Sequence, residues 1–201
     1  MFLCRLLLVF LLAPPASGLK PKVLDLALQA ASQAQAKGFG KKKILAVIDY
    51  SLPSTKKRLW IFDLKKDKLL FHELVAHGKG SGNNYAKKFS NKEGTLASSL
   101  GLFEATGTYQ GKHGYSLKLR GLEKGINDNA EERAVVVHGA WYVSAAFAKK
   151  HGRLGRSWGC PALDKRVARQ VIDAIKDGSL LFVYHPEERW LNRSEYLNHS
   201  R

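Results

Sequence analysis

Cysteine is nearly absent from this sequence: 201 residues hold two, Cys4 and Cys160. Apolar runs long enough to cross a bilayer are missing as well. The N-terminal run Leu6–Ala13 has eight residues, against the roughly 20 that a spanning helix needs. No second apolar segment of spanning length follows, so no transmembrane anchor is expected. Internal repeats are absent, and no Gly-Lys-Ser/Thr closes a strand-to-helix turn, which removes a phosphate-binding loop from consideration. Acidic residues are few: 17 Asp and Glu against 33 Lys and Arg.

The short apolar run has the flanks of an export signal. Arg5 is the single charge before it, and Ala16-Ser17-Gly18 supplies small residues for cleavage. Removing residues 1–18 takes Cys4 away and leaves Cys160 alone. A lone cysteine in an exported protein points to an intermolecular bridge or a reactive thiol; the bland reading is a buried, inert side chain. The same cleavage removes Arg5, leaving 32 basic against 17 acidic residues, a formal +15. That charge favours polyanions. Outside the cytoplasm these are cell-wall carboxylates, teichoic acids or anionic lipid headgroups, and export argues against nucleic acid. Lys41-Lys42-Lys43 and Lys65-Lys66, taken singly, read as solvated surface.

The mature chain divides into a helix within 19–39, a domain over 40–188 and a polar tail over 189–201 that is expected to fray. Alanine and leucine at helical spacing over 23–36, with Gly38 as C-cap, predict the helix. Strands are predicted at 44–48, 59–64 and 69–75, with Lys66-Asp67-Lys68 as a turn, giving an antiparallel meander. The polar, glycine-rich stretch 77–99 is too long for a hairpin loop. Strands resume at 101–108, 115–120 and 133–137. A short helix at 140–150 stops at Gly152. Asp164 caps a helix to Lys176 whose apolar face is Val167, Val171 and Ile175, flanked by Ala168 and Ile172. A last strand covers 180–184. The expected fold is mainly β with peripheral helices (α+β), a sandwich or barrel.

Chemistry concentrates between Arg133 and Leu163. A short apolar strand ends on His138-Gly139, and 22 residues later Cys160 sits in Ser157-Trp158-Gly159-Cys160-Pro161. A free thiol with pKa near 8.5 is only a few per cent thiolate at neutral pH. An imidazole in contact takes its proton and holds a thiolate–imidazolium pair. Gly139 lets the backbone approach the ring, so its carbonyl is the expected orienting group. Gly159 and Cys160 each carry an N–H for a developing oxyanion. Arg153 and Arg156 are expected to favour a thiolate and to attract a substrate carboxylate.

These residues carry a resemblance. HGAWYVS, then GRLGRSWGCPAL, resembles the signature of the murein L,D-transpeptidase catalytic domain family, the YkuD-like enzymes. HGKGSGNNYA, SSLG, TYQGKHGYSLKLRGLEKGINDNA and GSLLFVYHP resemble one exported branch of it, so the likeness runs over residues 44–186. The resemblance implies a β-sandwich of mixed sheets and an enzyme that joins peptidoglycan stem peptides through an acyl-enzyme. It puts the nucleophile on Cys160, the base on His138, the steadying carbonyl on Gly139 and the family serine on Ser157. Trp158 stands where the common pattern has a second histidine, which makes it a donor-specificity position. No cofactor is implied.

Rival readings make distinct demands. Zinc through Cys160 and His138 needs further ligands that no spacing supplies: His72 and His77 fall on opposite strand faces, and His113 and His185 have no partner in sequence. His72, His151 and His199 read as ordinary histidines. A papain-like peptidase places Cys before His. A sortase has a longer His-to-Cys separation and an arginine on a later strand, whereas Arg166 and Arg169 fall on a predicted helix. A basic wall- or lipid-binding module with a structural Cys160 is the non-enzyme alternative.

Overall fold

The computed structural model describes residues 18–198; all but the last residue of the export signal predicted over 1–18, and His199, lie outside them. Helix α1 (Pro21–Ala36) starts with proline at a position where the missing N–H is no loss. Its buried face is Val23, Leu24, Ala27, Ala30, Ala31 and Ala34, mostly methyls that let the helix lie close on the sheet. It ends where Gly38 takes a positive φ and Phe39 N–H returns to the Ala34 carbonyl.

Among the described residues nine strands form one mixed sheet: β1 Ile44–Asp49, β2 Leu59–Asp63, β3 Lys68–Glu73, β4 Val75–Ala76, β5 Gly101–Gly111, β6 Gly114–Gly121, β7 Val136–Ala140, β8 Ala162–Asp164 and β9 Ser179–Tyr184. Their order is β3-β2-β1-β9-β5-β6-β7-β8-β4. β1 with β9 and β7 with β8 are parallel; the other pairs are antiparallel. β3 and β4 are at opposite ends of that order, yet only Leu74 separates them in sequence. The sheet therefore curls until its edges nearly meet, which leaves few open edge groups. By register Leu45, Trp60 and Phe182 share one face of the sheet and Ile48 and Phe103 the other, and all five are buried.

Three more helices pack outside. α2 (Ala145–His151) is capped by Ser144, whose hydroxyl accepts from Phe147 N–H at 3.1 Å, and stops at left-handed Gly152. α3 (Lys165–Ile175) is capped by Asp164, which accepts from Arg166 N–H at 2.9 Å, and buries Ala168, Val171, Ile172 and Ile175. α4 (Glu188–Leu191) belongs to the segment expected to fray. That segment packs instead: Trp190 and Tyr196 are buried, and Trp190 lies against Phe182 and Tyr184.

The predicted strand at 133–137 begins three residues late. Arg133 and Ala134 belong to a turn, with Ala134 at φ +51, so the face shared with His138 starts at Val136. The helix expected from Ala140 starts at Ala145, because Ala140 still pairs with Asp164 and Ser144 takes the cap. The long 77–99 stretch holds a 3-10 turn at Lys79–Ser81 and folds on itself, with Gly80 N–H on Leu96 C=O and Ser98 N–H on Ser81 Oγ.

Candidate active site

The parallel pairing of β7 with β8 sets the site. His138 is in register with Ala162. Two residues back along both chains, Val136 faces Cys160, and its N–H donates to Cys160 Sγ at 3.5 Å. The thiol and the imidazole thus lie one diagonal step apart on neighbouring segments. The S–H points to Ala134 C=O at 3.6 Å, an acceptor presented by the left-handed turn before β7.

The turn carrying Cys160 is clamped on every side. Ser157 Oγ accepts from Gly159 N–H at 3.2 Å and donates to Cys160 C=O at 2.5 Å. Ser98 Oγ accepts from Gly78 N–H and donates to Gly159 C=O at 3.0 Å. Ser157 N–H reaches His77 C=O, and Lys79 N–H reaches Ser157 C=O. Gly159 has φ +127, and a Cβ there would stand 3.0 Å from Ala97 C=O, so this position takes glycine for both reasons.

His138 is buried, and its Nδ1 lies 3.1 Å from Gly139 C=O. Donation from Nδ1–H to that carbonyl leaves Nε2 with the free lone pair, the tautomer a base requires. Burial pushes the His138 pKa down; the Gly139 carbonyl pulls it up and the neighbouring His113 pulls it down again. Burial also pushes the Cys160 thiol up, opposed by Val136 N–H and by the charges of Arg133 and Lys112. Both directions favour a neutral thiol beside a neutral imidazole. Burial of both groups thus opposes the thiolate–imidazolium pair expected from sequence, against the pull of the nearby cations on the thiol.

Other expectations also change. Gly159 N–H is already bound to Ser157 Oγ and is not a free oxyanion donor. Arg153 donates to Leu154 C=O, and Arg156 staples the loop at Gly82 C=O and Asn83 Oδ1. The positive charge acting on the thiol comes from Arg133 and Lys112. Arg133 donates to Ser90 C=O, Ser99 Oγ and Ala97 C=O at 2.5–2.7 Å, tying the 90–99 loop beneath the turn. Trp158 is 73% exposed, with Lys112 Nζ 5.4 Å from its ring centre.

Behind the turn lies a buried network that sequence reasoning missed. Arg58, fully buried, donates to Val75 C=O, Leu52 C=O and His77 Nδ1, the last at 2.8 Å. With Nδ1 accepting, His77 Nε2–H is directed at Gly82 C=O, 3.4 Å away. Burial, then the Arg58 charge, lowers the His77 pKa to about 4. Tyr50 packs on both, and its hydroxyl donates to Ala76 C=O. Ser98 stood in the quoted SSLG motif and Arg58 beside the second strand, but neither position betrays a buried polar contact. The remaining histidines scatter: His72 stacks on Trp60, and His185 lies against Phe89.

The fold and this geometry define a class: a curled mixed sheet that sets a cysteine and a histidine one diagonal step apart on neighbouring parallel segments. Within that class the chain belongs to the L,D-transpeptidase catalytic domain family, whose model, YkuD_2, matches residues 15–184. No curated protein matches the chain by sequence. Solved structures similar to it include an L,D-transpeptidase from Mycobacterium smegmatis, at 16% identity and TM-score 0.43, covering 71% of this chain and 59% of that one. Another is the L,D-transpeptidase (Yku) from Stackebrandtia nassauensis, at 18% identity and TM-score 0.43, covering 86% and 71%. A third is the helical cell shape determining protein Pgp2 from Campylobacter jejuni, at 13% and 0.43, covering 79% and 57%. The chain spans less than two thirds of the length of the Mycobacterium protein.

Proposed function

We propose that this chain is an exported cysteine transpeptidase acting on peptidoglycan stem peptides, with Cys160 as nucleophile and His138 as base. The observation that carries the reading is the β7–β8 register, which sets Sγ against Val136 while Gly139 C=O holds His138 with Nε2 unprotonated. Family membership supplies the reaction class.

In this reading Sγ attacks the donor amide carbonyl as its proton passes to His138 Nε2. Burial disfavours both charged forms, so the proton transfer to His138 is coupled to the attack on the carbonyl. The negative charge on the carbonyl oxygen falls to Cys160 N–H, since Gly159 N–H serves Ser157. His138 returns the proton to the departing amine, leaving a thioester on Cys160. An acceptor amine then attacks, gives its proton to His138 and restores the thiol; water in its place yields hydrolysis. Arg153, Arg156 and Trp158 are assigned to substrate binding, with Lys112 beside them. The export signal predicted from the N-terminal sequence is what supports placement in the cell envelope, and the positive charge is what supports anionic wall polymers as a second partner. No helix among the described residues is long and apolar enough to cross a membrane.

The test is incubation of the mature protein with purified muropeptides and product analysis by mass. Cross-linked or exchanged products that vanish in Cys160→Ala and His138→Ala support the reading. Unchanged products in Cys160→Ala would exclude Cys160 as the nucleophile, and no products at all from the wild type would count for a binding module with a structural thiol.

A further inference from the structure

The β5–β6 hairpin turns through two residues, Lys112 and His113, set between Gly111 and Gly114. Both side chains are exposed yet touch residues of the site. His113 stacks on His138 with ring centres 4.4 Å apart and planes at 21°. Lys112 lies over Trp158. One turn thus touches the base with one residue and the nucleophile's own loop with the other. His113 is exposed, and its ring stacks on His138 at a position where a turn side chain would otherwise keep its rotamer freedom.

His138 needs such a contact. Its single hydrogen bond, to Gly139 C=O, fixes one ring atom and leaves rotation about that point. Among the described residues no carboxylate faces it. His113 and Lys112 approach from the hairpin, Cys160 from the turn before β8, and Arg133 and Tyr142 flank that thiol from the two ends of β7. Lys165 of α3 lies against the backbone at Gly139. Asp164, paired with Ala140, is engaged by Arg166. An imidazolium formed on His138 therefore meets cations and one aromatic face.

We propose that His113 is a positioning residue for His138: its neutral imidazole fixes the plane of the base and offers the transient imidazolium a π-face where a carboxylate is lacking. The assignment rests on the acyl-transfer reading for its catalytic consequence, while the stack itself is independent of it. Burial and then the adjoining Lys112 charge both disfavour protonation of His113, which favours a neutral face. On acidification the two rings compete for protons and titrate as a pair.

The experiment compares wild type, His113→Ala and His113→Phe in the mature chain by two readouts. Ring-nitrogen NMR follows the tautomer and titration of His138 without substrate. Muropeptide turnover gives kcat and KM across pH. In His113→Ala, kcat should fall about three- to tenfold, the range a stacking contact supplies, with KM unchanged and the single His138 tautomer lost. Phenylalanine keeps the stack without the titration: kcat at pH 7.5 should recover to within about twofold of wild type, and the acid limb should lose one of its two ionisations. Wild-type kcat, pH profile and tautomer in His113→Ala overturn the proposal, as does a His113→Phe enzyme no better than His113→Ala. If the His138 spectra respond as expected while the wild type turns over no muropeptide, the positioning contact is supported and the acyl-transfer reading is what fails.

Discussion

Acid should loosen the nucleophile turn through His77, and the size of the effect follows from its surroundings. Folded, His77 is fully buried with its Nδ1 accepting from the Arg58 guanidinium, and its pKa is lowered to about 4. Unfolded, it returns to about 6.5. Between those values the unfolded chain binds a proton that the folded chain refuses, so stability rises with pH across that window. The contribution is complete above pH 6.5 and lost as pH falls through about 4. A gap of roughly 2.5 units corresponds to about 3 kcal/mol. Protonated Nδ1 also has no lone pair for Arg58, so the two buried cations must part. His77 C=O holds Ser157 N–H, and the disturbance therefore reaches the Cys160 turn. The assay is urea denaturation of wild type and His77→Gln at pH 7.5 and pH 4.5. Wild type should lose more stability on acidification than the variant, by about 2 kcal/mol over this shorter interval, and Cys160 alkylation should rise along with it. Equal pH dependence in the two proteins would show that the buried imidazole is not the acid-sensitive element.

Two further outcomes follow from packing and backbone. Trp190→Ala, in the segment expected to fray, should cost about 3–5 kcal/mol in denaturant unfolding, because the indole is buried against Phe182 and Tyr184; a change under about 0.5 kcal/mol, the surface range, would show that the tail is only laid on the sheet. Gly159→Ala places a Cβ against Ala97 C=O at a positive φ, and should destabilise by about 1–3 kcal/mol and lower the rate of Cys160 alkylation; unchanged reactivity would mean that the turn geometry does not set the thiol's surroundings.

Legibility in the sequence followed the kind of physics involved. The meander β1–β3 and helix α3 announce themselves through period and caps, and Asp164 caps α3 as its sequence position predicts. Strand β8 did not: three residues following a proline carry no readable period, although they fix the register at His138. Ala134 hides a left-handed turn behind a residue type that rarely takes one, which displaced the start of β7. Cys160 and His138 stand out as residue types in a local motif, and the structure sets them on adjoining segments. Lys112 and His113 look like an ordinary polar hairpin tip until the sheet curls and brings that tip over the site. Arg58 shows the same limit from the interior: a charge beside a strand reads as surface, and only the closed fold surrounds it with three acceptors.

The central claim is covalent chemistry at Cys160, and the mass of the intact protein tests it without a known acceptor. The family resemblance implies that a carbapenem is the β-lactam to use, its strained ring standing in for the donor amide. After incubation at neutral pH, the mature wild type should gain one drug mass as a thioester that maps to Cys160. His138→Ala should acylate far more slowly, and Cys160→Ser should remain unmodified. No adduct on folded wild type, together with a Cys160 that a small alkylating reagent also fails to modify, would contradict the account and leave the thiol a structural one.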